Sequence, residues 1–575
     1  IHIKTSDNLM ELIVTDAEGK EVLRQSRNIH YTLSPDRFEF VPEQSHLIAD
    51  GKTRPIIALR FFDKDGYKMR RASNGEFQLN SPYQSAERFD AIQRNPLGSS
   101  IDQPRFRVGE DGVALIELMP TTQSGEAQLN FEFNNGRKQE MRTWLEAGQR
   151  DWILVGFAEG TLGHKELSGN LSALSEAEAD TQLYDGDRLA FYAKGTIKGE
   201  YLMTIAYDSA KHRGTGGSRL ANLNQTIDPS LYYTLYADAT QPAFDAPSTS
   251  KLYLKIERKH FYVLFGDYDT GLTTTEFARY SRTVTGIKSE YKGEVAGYTA
   301  FATMTSQAYV KDELAGDGTS GLYQLSRKNI LDNSDKVRIE VRERFQSQNI
   351  VSTQSMTRYL DYDIDYINGT LFFKRPVNTR DAAFNQVFII AEYESGDPND
   401  ETLTAGGRVN IKPSDKLEIG ATLVSDGTEG ASGNLQGIDA TWKIGYATKL
   451  EAEFARSKRE VSNLELNGDA WKVELIHRDA KVYIREQQAG FGIGQQAGSE
   501  SNKRKAGGEL RMKISDTLQV QAEVYREENL GVVESQRDVI EGRFNHNLGS
   551  MSAYYGARLV YDDNGLGVTR DSELA

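Results

Sequence analysis

Leu417-Glu418-Ile419-Gly420-Ala421-Thr422-Leu423 decides the fold, because Leu417, Ile419, Ala421 and Leu423 take every second position while Glu418, Gly420 and Thr422 fall between them. Period two puts alternate side chains on opposite faces of a strand. Outward from this stretch the spacing recurs at Ile438, Ala440, Trp442 and Ile444, at Leu450, Ala452 and Phe454, at Trp471, Val473 and Leu475, and at Ala480, Val482 and Ile484. It continues through Leu510, Met512 and Ile514, through Leu518, Val520, Ala522 and Val524, and through Met551, Ala553, Tyr555, Ala557, Leu559 and Tyr561. None of these positions is charged. The positions between them hold Glu451, Glu453, Lys472, Glu474, Lys481, Arg485, Glu509, Arg511, Lys513 and Arg558.

One uncharged face and one ionised face are what a bilayer-spanning β-barrel requires. Hydrocarbon satisfies no backbone N–H or C=O, so only a helix or a closed sheet crosses it. A charge on the lipid side costs roughly 2 to 4 kcal/mol near the midplane. This reading makes Leu417, Ile419, Trp442, Ile444, Trp471, Val473, Val520, Val524, Ala553, Tyr555 and Leu559 lipid-facing. It makes Glu451, Glu453, Lys472, Glu474, Arg511, Lys513 and Arg558 lumen-facing. A soluble antiparallel sheet with one wet face alternates in the same way, so alternation alone leaves both architectures open.

Composition narrows the choice. A chain of 575 residues exceeds one ordinary core and implies several domains. With Gly 51, Tyr 28, Phe 24 and Pro 13 it favours sheets and turns. A mean hydropathy of -0.56 suits a barrel as well as a soluble chain, because half of each barrel strand faces water. No run approaches the roughly 18 apolar residues of a membrane helix. Cysteine is absent, which removes disulfides, thiol nucleophiles and Cys-ligated zinc. A net charge of -15 argues against nucleic acid as a partner. The chain opens at Ile1 with neither Met nor signal peptide, and so reads as a mature or trimmed piece of something larger.

In chain order, residues 1–35 hold two extended runs joined by Ala17-Glu18-Gly19-Lys20, a hairpin. Residues 36–156 hold short strands punctuated by turns such as Asp50-Gly51, Asp65-Gly66 and Asn74-Gly75, the pattern of a β-sandwich. Residues 157–187 form a linker in which Ser172 to Asp180 has helical propensity behind an N-terminal Ser cap. Barrel-like alternation fills 188–320 and 396–575. Between them, 321–395 reads as an inserted β-sandwich, with Asn368-Gly369 predicting a type I′ hairpin. Roughly 300 barrel residues at roughly 20 to 25 per strand and loop give on the order of 12 to 16 strands. Tyr232, Tyr233, Tyr236, Phe261, Tyr262, Trp442, Tyr446, Tyr554, Tyr555 and Tyr561 suit rings at a membrane interface, and equally cross-strand pairs in a soluble sheet.

Two resemblances bear on these segments. Ala49-Asp50-Gly51-Lys52, the strand Ile56-Ile57-Ala58-Leu59, Asp65-Gly66 and the later Asp111-Gly112-Val113-Ala114 resemble bacterial immunoglobulin-like domains of the invasin and intimin type, which implies a periplasmic or surface module. Phe265-Gly266-Asp267-Tyr268-Asp269-Thr270-Gly271-Leu272, leading to Arg279-Tyr280-Ser281-Arg282, resembles segments of large outer-membrane proteins of Gram-negative bacteria. A sandwich inserted after several barrel strands is similar, in architecture only, to the plug of pilus-assembly ushers.

Candidate chemistry is sparse. Asp361, Asp363 and Asp365 alternate with Tyr362, Ile364 and Tyr366, so they share a strand face and offer oxygen ligands for calcium; without the glycine of an EF-hand loop, a solvated face accounts for them better. Asp267 and Asp269 lack any sign of the separation a glycosidase pair needs. No metal-binding His spacing and no Gly-x-Ser-x-Gly elbow occurs. No enzyme and no cofactor is expected. The sequence thus reads as all-β: a transmembrane antiparallel β-barrel with an N-terminal immunoglobulin-like sandwich and an inserted sandwich. It would sit in the outer membrane of a Gram-negative bacterium as a channel or export pore whose insert acts as plug or gate, its partners being outer-membrane lipid, other envelope proteins or a translocated polymer. A surface adhesin or envelope scaffold anchored by the barrel, and a soluble multi-domain β protein, are the alternatives.

Overall fold

The computed structural model describes residues 6–574 apart from 16–20, 32–34, 64, 71–73, 81–82, 95–103, 134–137, 149–150, 160–161, 165–182, 186–187, 199, 210–245, 247, 249–250, 306–307, 331–333, 344–349, 357, 359–360, 382–383, 396–401, 428–431, 446–447, 462–463, 497–499, 516, 532–534, 548–550 and 565–566. Its main body is one antiparallel sheet of 18 strands running from Ile153–Glu159 to Val568–Leu574. Each strand pairs with the next strand of the sheet in chain order. The longest jump lies between Ala296–Thr305 and Thr402–Ser414, which pair directly from Ala296↔Ile411 to Thr305↔Thr402. Among the described residues no ladder joins the two edge strands.

Alternation sorts the side chains as the period demands. Leu423 and Ile438 are 62% and 61% exposed, and Val482, Val524, Ile540 and Leu559 are exposed on the same outer face. Their neighbours Thr422, Glu453, Glu474, Arg485 and Lys505 are buried on the inner face. That a face of ions is buried while a face of aliphatics is bare inverts the usual soluble sheet. No helix among the described residues is long and apolar enough to cross a membrane.

Eighteen strands exceed the 12 to 16 expected. Ten of them fit between Leu417 and Leu574, because connections along one rim, such as 415–416 and 478–479, are only two to four residues long. Residues 270–282 and 488–496 and the inserted module lie on the opposite rim.

Before the large sheet, Ser6–Thr15 and Glu21–Tyr31 form an antiparallel hairpin. A five-stranded sheet and a three-stranded sheet follow, sharing a core that includes Phe38, Ile57, Leu59, Phe61, Phe77 and Phe131. Ile153–Glu159, whose first residues fall inside the span 36–156, pairs with Arg188–Ile197 and so belongs to the large sheet. A helix, Ala86–Arg94, interrupts the strands of this region; the Ser85 hydroxyl accepts the Arg88 N–H at 3.5 Å at its start. The expected helix at Ser172 to Asp180 lies outside the described residues.

The inserted module stacks a four-stranded sheet (Ala308–Ala315, Gln386–Ser395, Lys336–Arg342, Ile350–Ser355) and a three-stranded sheet (Tyr323–Gln324, Thr370–Phe373, Tyr362–Asp365) over its own apolar core. Ala308–Ala315, read from sequence as a barrel strand, pairs instead with Gln386–Ser395. The Asn368-Gly369 turn is not type I′. Only Gly369 has positive φ, +67°, and the loop closes through Gly369 N–H to Asp365 C=O at 2.8 Å. Asp365 fixes this geometry by accepting the N–H groups of Ile367 and Asn368 at 3.0 Å each.

Candidate functional site

The site is the space enclosed by the large sheet. Phe261–Asp269 is fifth in the sheet, yet residues 270–282, which follow it, dock on strands nine to thirteen. The sheet is therefore curled, and this segment crosses its interior. Glu453 on Thr448–Val461 receives three backbone N–H groups, from Glu276 at 3.0 Å, Phe277 at 2.7 Å and Ala278 at 2.9 Å. Glu276 in turn lies 2.9 Å from Lys472 Nζ and 2.5 Å from Arg485 Nη2. Burial would raise the Glu276 carboxyl, but Arg485 and Lys472 outweigh it and hold the carboxyl down at about 2.

The wall is shaped for this segment and for residues 488–496, which also fold inward. A Cβ at Gly437 would stand 2.4 Å from the Ala278 Cβ. Gly433 leaves the same kind of space for Ile493, and Gly468 for the backbone at Phe491. Phe277 meets Phe491 edge to face at 5.8 Å, and Gln496 Nε2 donates to the carbonyls of Phe277 and Arg279 at 3.1 Å each.

The module and the N-terminal sandwich enter the same space. Arg282, fully buried, donates to Glu394 of the module at 2.6 Å and 3.0 Å, and to Asp426 of the strand Leu417–Asp426 at 3.0 Å. Tyr280 donates to Asp426 at 2.8 Å. Burial pushes the Glu394 carboxyl up against the pull of Arg282. Lys336 pairs with Asp269, and Arg511 reaches Glu343 at 3.5 Å. From the sandwich, Trp144 Nε1 donates to the Lys259 carbonyl at 2.8 Å, Lys292 pairs with Glu126, and Arg142 donates to Thr274 at 3.1 Å. Gln78 of the sandwich even donates to the Thr353 carbonyl of the module, at 3.3 Å.

What remains open is a cavity of about 2120 Å³, room for on the order of 70 waters. Its lining mixes ion pairs, such as Arg408 with Asp439 at 2.6 Å, Arg338 with Glu392 at 3.0 Å and Lys481 with Glu509 at 3.4 Å, with apolar side chains such as Trp144, Tyr268, Ile350 and Met356. Such a surface suits hydrated solutes and offers no dry pocket for one small ligand.

The residues singled out from sequence distribute as follows. Ile419, Trp442, Ile444, Val473, Val524, Tyr555 and Leu559 are exposed outward; Leu417, Trp471, Val520 and Ala553 stand on the same face by register, as Leu417↔Trp442, Val520↔Phe544 and Ala553↔His546 place them. Glu453, Lys472 and Glu474 meet at the loop, Glu451 pairs with Lys449 at 2.6 Å, and Arg511 reaches the module. Arg558 lies 3.4 Å from Glu541, and the Lys513 side chain is outside the described residues. Tyr262, grouped from sequence with interface rings, points inward and donates to Glu290 at 2.9 Å. Tyr232, Tyr233, Tyr236 and Tyr446 lie outside the described residues.

Asp361, Asp363 and Asp365 do not converge on a calcium site. Asp363 pairs with Lys374, Asp365 caps its turn, and Asp361 precedes the strand Tyr362–Asp365. Among the described residues the one trio of His or acidic groups with ligand atoms within 4.8 Å is His30, Asp63 and Asp65, and there a 2.5 Å His30–Asp63 pair ties the N-terminal hairpin to the sandwich. Asp267 accepts from Thr285, and Asp269 accepts from Ser281 at 2.9 Å. Sequence reasoning missed Arg282, Glu276 and Gly437. The first two lie in an aperiodic segment; only Gly437, a missing side chain in an alternating strand, left a trace.

No family model and no curated protein matches the chain. Among solved structures it is similar to a BenF-like porin from Pseudomonas fluorescens Pf-5, at 8% identity over 68% of this chain and 91% of that chain, with a TM-score of 0.27. Pseudomonas aeruginosa OpdQ is similar at 7% identity over 73% of this chain and 94% of that one, TM-score 0.28. Acinetobacter baumannii OccAB4 is similar at 6% identity over 74% and 96%, TM-score 0.26.

Proposed function

We propose that the chain is an outer-membrane β-barrel channel held closed by its inserted module, with the N-terminal sandwich against the short-turn rim. One observation carries this reading: the bare face of the large sheet is aliphatic and aromatic through the middle of most strands, above all from Thr402–Ser414 to Ser552–Asp563, while the covered face is ionised. Water around both faces would leave the first unexplained; lipid outside and water inside accounts for both. The exported or admitted solute is hydrated, since ion pairs recur along a large water-accessible cavity, and a polymer passing as an extended chain fits the same description. The filled interior also favours a second reading, in which the barrel only anchors the sandwich.

Current through planar bilayers separates the two. Thr305 and Thr402 are direct strand partners, so residues 306–401 can be replaced by a short Asn-Gly turn without disturbing the ladder. The channel reading expects low conductance from the whole chain and large, steady conductance from this deletion. A deletion that inserts into bilayers yet passes no current overturns the channel and leaves the anchor.

A further inference from the structure

The outer face carries a feature that crossing a bilayer does not require. On six successive strands, Thr448–Val461 through Ser535–Asn547, the outward apolar run ends toward the long-loop rim in a cross-strand arginine–carboxylate pair. Arg456 meets Asp469, Arg504 meets Glu486 and Arg526 meets Asp538, each at 2.7 Å and each between direct register partners. The short-turn ends of these strands carry Thr448, His477, Met512, Leu518 and His546 outward, and no such pair.

Two of the three pairs are full forks, while Arg504 brings Nε and Nη2 to one Glu486 oxygen at 2.8 and 2.7 Å and has Nη1 3.6 Å from Glu528. In Arg456 and Arg526 the Nε and Nη2 atoms donate to the two carboxylate oxygens, at 2.7 and 2.8 Å and at 2.7 and 2.9 Å. That fork fixes the guanidinium plane and leaves the Nη1 corner for another acceptor, on side chains 64% and 53% exposed. Exposed pairs add little to stability, so rigidity of the fork is their evident effect. Arg456 also lies over the Phe454 ring, 6.0 Å from its centroid, at the edge of the apolar band.

We propose that this belt binds the phosphate groups of lipid headgroups around the long-loop rim. The inference rests on the membrane reading above, because whatever covers the aliphatic band brings its own polar layer level with the belt. Headgroup phosphates fit there: a pre-ordered guanidinium is a fork for oxyanions, at a lower ordering cost than a free lysine. The two-strand repeat spaces the arginines around one side of the barrel, which suits many small anions better than one compact ligand.

The test uses the full chain in a phosphate-free detergent, titrated with bisphosphorylated lipid A and with the same lipid after its phosphates are removed. Thermal midpoint is read by tryptophan fluorescence. The expected result is a rise with the phosphorylated lipid alone, and about tenfold more lipid needed for half the rise in R456Q/R504Q/R526Q. Should that variant fail to fold, R456K/R504K/R526K keeps the charges without the forks and is expected to respond more weakly than the parent. Equal responses to both lipids, or a variant indistinguishable from the parent, overturn the belt. Insertion into phosphate-free galactolipid vesicles is measured alongside: a chain that inserts but shows no phosphate dependence sinks only the belt, whereas one that does not insert sinks the membrane reading with it.

Discussion

Replacing Glu453 by Gln tests whether the crossing segment is held by a carboxylate built into the wall. Oε1 accepts the N–H groups of Phe277 and Ala278, and Oε2 accepts that of Glu276. A glutamine keeps one oxygen for two of these and turns an NH2 toward the third, so one bond is lost and two fall from charged to neutral. Charged bonds contribute about 1.5 to 3 kcal/mol and neutral ones about 0.5 to 1.5; the loss is therefore about 3.5 to 6 kcal/mol. Releasing a buried charge gives part of that back, leaving about 2 to 3 kcal/mol. Since 1.4 kcal/mol is tenfold, amide hydrogen exchange in a peptide covering 272–282 should quicken by about 30- to 150-fold. Peptides of the inserted module should not change. A less than threefold effect in 272–282 would mean that other contacts hold the segment and that Glu453 is incidental.

Gly437→Leu should expel the same segment by bulk, since even a Cβ there stands 2.4 Å from the Ala278 Cβ; exchange in 272–282 should rise while the strand Gly433–Lys443 stays protected. Arg282→Met leaves Glu394 and Asp426 buried without their cation, which costs about 3 to 5 kcal/mol, and should quicken exchange over Gln386–Ser395; adding Glu394→Gln should recover part of it. Glu276, held at about 2, is a depressed carboxyl, so its pairing is fully present above the ordinary value near 4.5 and is lost only as pH falls through about 2. The difference in 272–282 exchange between the parent and Glu276→Gln should accordingly be the same at pH 7 and pH 5 and vanish near pH 2; a difference already gone at pH 5 contradicts the pairing.

Period two was enough to read the strands from Leu417 onward, because each strand reports its own two faces without reference to any partner. It failed where a partner decides. Ala308–Ala315 alternates Tyr309, Lys311 and Glu313 with Val310, Asp312 and Leu314 much as a barrel strand does, and only its pairing with Gln386–Ser395 assigns it to the module. Turn chemistry misled at Asn368-Gly369 because Asp365, three residues back, caps the loop into a longer form. Arg282 and Glu276 were illegible for a plainer reason. Their partners Glu394, Asp426, Lys472 and Arg485 lie more than 100 residues away, and no local pattern encodes an encounter at that range.

What holds each inward element also ranks how readily it moves. Leu272, Phe277, Tyr280, Phe491 and Ile493 share one apolar cluster with the wall residues Phe301, Val424, Leu435, Ala455 and Ala470. Peeling those segments away exposes aliphatic and aromatic surface at roughly 25 cal/mol per Å². The module's core, from Tyr323 to Tyr393, includes no wall residue; it meets the wall through Arg282–Glu394, Lys336–Asp269 and Arg511–Glu343. Two of those three contacts are part-exposed and open to screening by salt, and water entering the lumen solvates the ions they release. The buried Arg282 cluster is then the main obstacle to displacing the module as a body, while the segment 270–282 stays on the wall and bounds whatever path is left.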